Sequence, residues 1–303
     1  MTHISTDQTR DNKVIQGLWI GSELSAMERL SIASFLANGH EYHLYIYDDV
    51  RNVPEGAAVK DGNEILPAAM IFRYEAHKSF SAFSNFFRYK LLLERGGWWA
   101  DSDMVCLRPF DFTQEYVFSS EMANGREFIN CGVIKTPPGS PAMEYAWNIC
   151  RAKVPAKLVW GEVGPRLMSE SIKRLALESF VMRSRVFCPF GYEEWDAVLN
   201  PKKVWDLGSP RTYGVHLWNE MWRRNERDKD QSYHPDCLYE RLKHKYMSQS
   251  KAGTSRETNT SEGSWNTSRR RARIHEQAPR RIPSLEGGDS LRLPMSRSSK
   301  GRP

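Results

Sequence analysis

SNFFRYKLLLERGGWWADSDMV, residues 84–105, is the stretch on which the reading of this chain turns. Phe83, Phe86, Phe87 and Leu91 recur at helical spacing and predict a helix over residues 83–94 with those side chains buried. Gly96-Gly97 ends it, and residues 98–100 start a short buried strand. Asp101 and Asp103 follow at the strand's carboxyl end. Side chains at i and i+2 of an extended backbone point the same way, about 6–7 Å apart, so both carboxylates can reach one ion. Two hard oxygen ligands suit Mg²⁺ or Mn²⁺ rather than zinc, with phosphate oxygens and water completing the shell. A bare Asp-x-Asp reads equally as an exposed turn. The apolar approach through Gly-Gly-Trp-Trp is what separates this case, because it leaves only the carboxylates at the surface.

Outward from this stretch, strand-like and helix-like patterns alternate over residues 1–247. Strands are expected at 14–20, 43–47, 116–119, 129–135, 181–187 and 213–217. Helices are expected at 24–36, closed by Asn38-Gly39, and at 141–150 and 164–177. Such alternation implies an α/β fold with a mostly parallel sheet flanked by helices. In those sheets ligands bind beyond the carboxyl ends of the strands, where Asp101 and Asp103 stand.

Composition sets the bounds. The chain has 303 residues, 40% hydrophobic, with 10 Trp, enough for a substantial core. No apolar run approaches the roughly 20 residues that span a bilayer. The N-terminal MTHISTDQTRDNK lacks the apolar stretch of a signal peptide, so a cytoplasmic protein, or one peripheral at the inner membrane, is expected. Five cysteines without CxxC spacing read as reduced thiols. The net charge of +6 is unevenly spread. Residues 248–303 carry 12 Lys+Arg against 5 Asp+Glu, leaving 31 basic against 32 acidic residues in the remainder. A domain over 1–247 and a disordered basic tail over 248–303 follow. The tail's Arg269-Arg270-Arg271-Ala272-Arg273 reads as a solvated run, with weak contact to anionic surfaces as the functional option. Its Asn259 and Asn266 sequons would matter only in a secretory lumen.

Asn85 and Arg88 share a helix face just before the aspartates. Arg88 offers a planar fork of donors to hydroxyls or phosphate; its bland alternative is a surface salt bridge with an acid such as Glu94. With this the pattern becomes specific. Ser84-Asn85-Phe86-Phe87-Arg88-Tyr89, Leu92, Gly96-Gly97, Trp99 and Asp101-Ser102-Asp103 resemble glycosyltransferase family 32, whose sugar-binding region contains the Asp-x-Asp motif. Weaker likeness runs from Leu18-Trp19-Ile20-Gly21 to His216-Leu217-Trp218-Asn219. Two positions depart: Asn85 stands where the family has Asp, and Trp99 where it has Tyr.

The resemblance implies a GT-A-like, Rossmann-related fold, a nucleotide-sugar donor, a retaining mechanism and a Mn²⁺ or Mg²⁺ cofactor. It implies that Asp101, Asp103 and Arg88 carry catalysis and that Asp101, Asp103 and His216 hold the metal. Trp19, Asn85, Arg88, Tyr89, Asp101, Ser102, Asn130 and Trp218 would bind the donor, with Trp19 on the base. Glu162, beside the Gly164-Pro165 loop, is the acceptor-side candidate. The acceptor would be a glycan, lipid-linked or other hydroxyl in surface polysaccharide or glycoconjugate synthesis. Two rivals stand beside this: a metal-dependent phosphodiesterase, which needs further acidic ligands, and a nucleotide-sugar or nucleic-acid binding protein acting through its tail.

Overall fold

The computed structural model describes residues 13–205 and 208–248, all within one compact unit. The expected tail beyond residue 248, with its arginine run and sequons, lies outside the described residues. The chain opens with β1 (Val14–Leu18), α1 (Ala26–Ala37), β2 (Glu41–Ile46) and β3 (Ala57–Asp61). Then come α2 (Ser81–Arg95), β4 (Gly97–Ala100), β5 (Met104–Cys106), β6 (Val117–Ala123) and β7 (Arg126–Thr136). It closes with α3 (Pro141–Arg151), α4 (Leu167–Arg174), β8 (Gly214–His216), α5 (Asn219–Arg224) and α6 (Leu238–Met247).

Six strands form the main sheet in the order β3-β2-β1-β4-β7-β6; β5 and β8 pair apart from it. The run β3, β2, β1 and β4 is parallel, and β7 joins β4 antiparallel. The fold is thus the expected mixed α/β fold with a mostly parallel sheet flanked by helices. Side chains alternate across it, and neighbours such as Trp98 and Trp99 enter different cores. One core gathers residues of α1, α6, β5 and β8; the other gathers α2, α3 and α4.

α1 begins with a capping box. Ser25 caps the backbone, and the Glu28 carboxylate answers the Ser25 N–H at 2.8 Å. Its end at Asn38-Gly39 is as expected, with Gly39 at φ 82°. One strand expectation and one helix boundary fail. Residues 181–187 make a single bridge, Phe118 to Val181, and then wind into a short turn at Ser184–Val186. Glu127 on β7 accepts from the Ser184 N–H and so stops the run from extending as a strand. The helix expected over 164–177 is delayed to Leu167 by a loose turn at Glu162–Arg166, because Pro165 follows a non-helical Gly164. Strands β3 and β5, too short and mixed in pattern to read in sequence, complete the sheets.

All five cysteines are free and buried, as their spacing suggested. Among the described residues no helix is long and apolar enough to cross a membrane.

Candidate functional site

The site starts from the Gly-Gly turn. Gly96 has φ 62° and ψ −157°, and Gly97 φ 79°. A Cβ on Gly96 would lie 2.4 Å from the Pro138 nitrogen, so the helix can reverse into β4 against this loop only with glycine there. β4 then slots between β1 and β7 and delivers Asp101 at its carboxyl end. The backbone there is not extended, as the i, i+2 argument assumed. Asp101 N–H donates to the Gly132 carbonyl at 2.8 Å, and Met104 N–H to the Asp101 carbonyl at 2.9 Å. The chain therefore turns through Ser102, which brings the two carboxylates together by a different route.

Asp101 is tied to α2. Arg88 Nη2 donates to Asp101 Oδ1 at 2.7 Å and to Ser84 Oγ at 3.1 Å, and Nη1 to the Cys131 carbonyl at 2.9 Å. Trp99 Nε1 donates to the same Asp101 oxygen at 2.9 Å, and the guanidinium lies 4.8 Å from the Trp99 ring centre. The surface pairing of Arg88 with Glu94 does not occur: Glu94 pairs with Lys90, and Arg88 is buried. Burial and the repulsion of Asp103 push the Asp101 carboxyl up, against the pull of Arg88.

Asp103 is tied to the opposite side. β5 pairs with β8 so that Met104 faces His216. His216 Nε2 then lies 3.1 Å from Asp103 Oδ1, while Asp103 Oδ2 accepts the Asn219 N–H at 2.7 Å. Burial would depress the His216 imidazole, but the adjacent Asp103 carboxylate reverses this and holds it well above its usual range. Burial likewise opposes ionisation of Asp103, yet His216 and the Asn219 N–H keep its carboxyl low. Gly132 admits the ring: a Cβ there would come within 3.2 Å of His216 Cε1. Trp218, just beyond the end of β8, turns through φ 58° and packs its ring on His216 at a tilt, ring centres 4.0 Å apart. That φ is rare for a bulky side chain and marks a strained position at the site.

One ligand atom each from Asp101, Asp103 and His216 lie within 4.8 Å of one another. Two carboxylate oxygens and one imidazole nitrogen are a donor set that Mn²⁺ and Mg²⁺ accept. No hydrogen bond engages Asp101 Oδ2 among the described residues, so an oxygen is free for an ion while Oδ1 stays with Arg88. The residues present fit the cation.

Two cavities meet at this cluster, both lined by Arg88, Asp101, Asp103 and Glu220. One, of about 600 Å³, holds half-buried Trp19 and Ser102 with Arg223, Arg227 and Lys229. The other, of about 470 Å³, holds Asn85, Asn130, His216 and Trp218, with Tyr192 and Trp160. Asn130 lines its cavity, but its side chain is engaged inside the protein: Oδ1 accepts the Gly132 N–H at 3.1 Å and Nδ2 donates to Cys188 Sγ at 3.2 Å.

Two expected site residues line neither cavity. Tyr89 is fully buried and donates to the Val163 carbonyl at 3.0 Å, where it pins the Gly-Pro loop from behind. The Glu162 carboxylate pairs with Lys153 at 2.6 Å and accepts the Val159 N–H at 3.1 Å, while neighbours Trp160 and Gly161 line the cavity. Residues absent from the sequence reading also line the smaller cavity, among them Tyr192, Glu220 and Glu121, a half-buried position of β6 with no motif around it.

Residues 27–119 match the family described as "Glycosyltransferase sugar-binding region containing DXD motif". No curated protein matches the chain. Among solved structures, "PaToxG Glycosyltransferase" is similar at 16% identity and TM-score 0.42, covering 57% of this chain and 77% of that one. The glycosyltransferase GlyE of Streptococcus pneumoniae TIGR4 is similar at 11% identity and TM-score 0.38, covering 79% of this chain; this chain spans 64% of GlyE. At such values neither likeness bears on mechanism. The family match bears on residues 27–119 alone: that segment is similar to a glycosyltransferase sugar-binding region with the DXD motif, and it includes the 84–105 stretch.

Proposed function

We propose that this chain is a metal-dependent, retaining glycosyltransferase of GT-A type. It would move a sugar from a nucleotide-diphosphate donor, UDP-linked by preference, to an acceptor hydroxyl in surface polysaccharide or glycoconjugate synthesis. Its expected location is the cytoplasm or the inner face of a membrane. One observation carries the reading: the Asp101, Asp103 and His216 cluster stands where two cavities of different character meet.

The larger cavity suits a nucleoside diphosphate. An indole stacks on a planar base, and Trp19 is half-exposed there. Arg227 offers charge to phosphate oxygens, beside Arg223 and Lys229, which Glu220 and Glu28 hold in ion pairs. The smaller cavity suits a sugar, with amide, imidazole and carboxyl groups beside the rings of Trp218 and Tyr192. A Mn²⁺ or Mg²⁺ ion held by Asp101, Asp103 and His216 would act as a Lewis acid toward the diphosphate.

The chain's own residues do the rest. Arg88 fixes Asp101 by a buried charge-assisted bond and keeps Nε without a partner beside the cavities. Asn85 faces the sugar cavity and can orient a hydroxyl, an entropic contribution to the rate. Trp218 closes over His216. For retention, the acceptor oxygen bonds to the anomeric carbon on the face from which the diphosphate oxygen departs. The acceptor proton passes to that departing oxygen, so no protein nucleophile is required.

The test is a panel of UDP- and GDP-sugars with Mn²⁺ or Mg²⁺, scored by nucleotide release and product anomer. Cation-dependent release from at least one donor is expected, lost in Asp103→Ala. Silence across the panel, or full activity in Asp103→Ala, would overturn the proposal.

A further inference from the structure

Glu121 is a cavity carboxylate that neither holds the cation nor pairs with Arg88. It projects from β6, opposite Phe128 of β7, into the cavity of about 470 Å³. Its Oε2 is shut off from solvent and has no hydrogen-bond partner among the described residues. A buried acceptor left unpaired costs about 1–3 kcal/mol, so a protein retains one mainly where something else supplies the donor. The surroundings say what kind of donor. Asn130 and Gly132 of β7 flank the same cavity, with the Trp218 ring and Tyr192. A carboxylate beside aromatic faces is what a hydroxyl-rich ring with apolar C–H faces requires: the oxygens accept from hydroxyls, and the rings cover the carbon skeleton.

We infer that Glu121 is the sugar-hydroxyl acceptor of this site, the residue that discriminates one hexose from another. The inference rests on the glycosyltransferase reading and goes beyond it by assigning the sugar's recognition to a residue outside the DXD motif. Asn130 is a poor rival for the role because its side chain is spent on Gly132 and Cys188. Asn85 acts from the opposite element, α2, so the sugar is gripped from two sides. Sites built to bind a substrate hydroxyl reject the analogue that lacks it strongly, since the unmade bond strands a buried group.

The experiment compares wild type with Glu121→Gln and Glu121→Ala, with Mn²⁺ present. Calorimetry measures binding of UDP, UDP-glucose, UDP-galactose and GDP-mannose; turnover is measured with the best donor and its deoxy analogues. UDP binding within about twofold of wild type is expected in both variants, because Glu121 does not line the nucleotide cavity. The extra affinity of the sugar-bearing donor over UDP should disappear, kcat/KM should fall roughly 100-fold, and preference over the deoxy analogue should collapse. Unchanged donor affinity and discrimination in a variant that still binds UDP would overturn the inference alone. Equal weakening of UDP and donor would also overturn it, by showing general damage to the site. A wild type that binds and hydrolyses none of these donors removes this inference together with the proposed function.

Discussion

Asp101 and Asp103 are two residues apart, yet they belong to opposite sides of the molecule. Asp101 is held by Arg88 of α2, whose apolar face enters the core shared with α3 and α4. Asp103 is held by His216 of β8, which packs with the core of α1, β5 and α6. The turn between them therefore joins the two cores at the site. The partners also differ in kind. Arg88 cannot shed its charge, whereas His216 can. The two aspartates should thus be equally needed for transfer and unequally needed for folding.

The sharpest way to break this comparison is to neutralise each aspartate. Asp101→Asn and Asp103→Asn should each reduce metal-dependent transfer by about 10³-fold or more, since each removes the negative charge of a ligand carboxylate. Equal loss supports a shared ion; substantial activity in either would sever that carboxylate from the metal. The same pair of variants should part in stability. Asp101→Asn leaves the buried Arg88 cation without its carboxylate and should cost about 3–5 kcal/mol by denaturant titration. Asp103→Asn should cost clearly less, because His216 can become neutral. The reverse order would refute the assignment of the two sides.

His216 tests the weaker ligand. His216→Gln should loosen Mn²⁺ roughly 10–100-fold while leaving an Asp pair able to bind it. In wild type the imidazole is held protonated by Asp103, and it ligates only when neutral. Mn²⁺ affinity should therefore rise with pH and be accompanied by proton release. A pH-independent affinity would remove His216 from the ligand set.

The smallest effect concerns Glu121 in the wall of the smaller cavity. Burial raises the Glu121 carboxyl from 4.5 to about 7, with Glu193 adding to the shift and His216 opposing it. A folded value above the unfolded one means the folded state holds the proton more tightly. Stability from this group is complete below about pH 4.5 and is lost as pH rises through about 7. Glu121→Gln should then be more stable than wild type at pH 8, by about 1–3 kcal/mol, with the gain vanishing near pH 4.5. Thermal melts across that range decide it. A stabilised but less selective variant would mark Glu121 as a position kept for recognition at the expense of stability.

How far the sequence reached depends on distance along the chain. The helix, the Gly-Gly reversal and the carboxylates lie within 22 residues, and each rests on local physics: apolar spacing, a φ open only to glycine, and the end of a strand. These were legible. The turn at Ser102 was not, because it depends on Gly132 offering a carbonyl from β7. Tyr89 looked like a ligand contact through its place in the motif. Helix geometry points it inward, where its hydroxyl meets the Val163 carbonyl instead. Glu162 stood beside the right loop, but Lys153 draws its carboxylate aside.

The chain by itself thus determined the layered α/β architecture and the Asp-x-Asp cluster at its strand end, since both are written in periodicity and backbone permission. Only the tertiary structure decided which partner each aspartate keeps, where the smaller cavity lies, and that Glu121 lines it with an Oε2 that has no hydrogen-bond partner among the described residues. Those depend on residues 13 to 115 positions away from Asp101, from Arg88 to His216, and a side chain's partner across such a separation is set by packing, which no local pattern encodes.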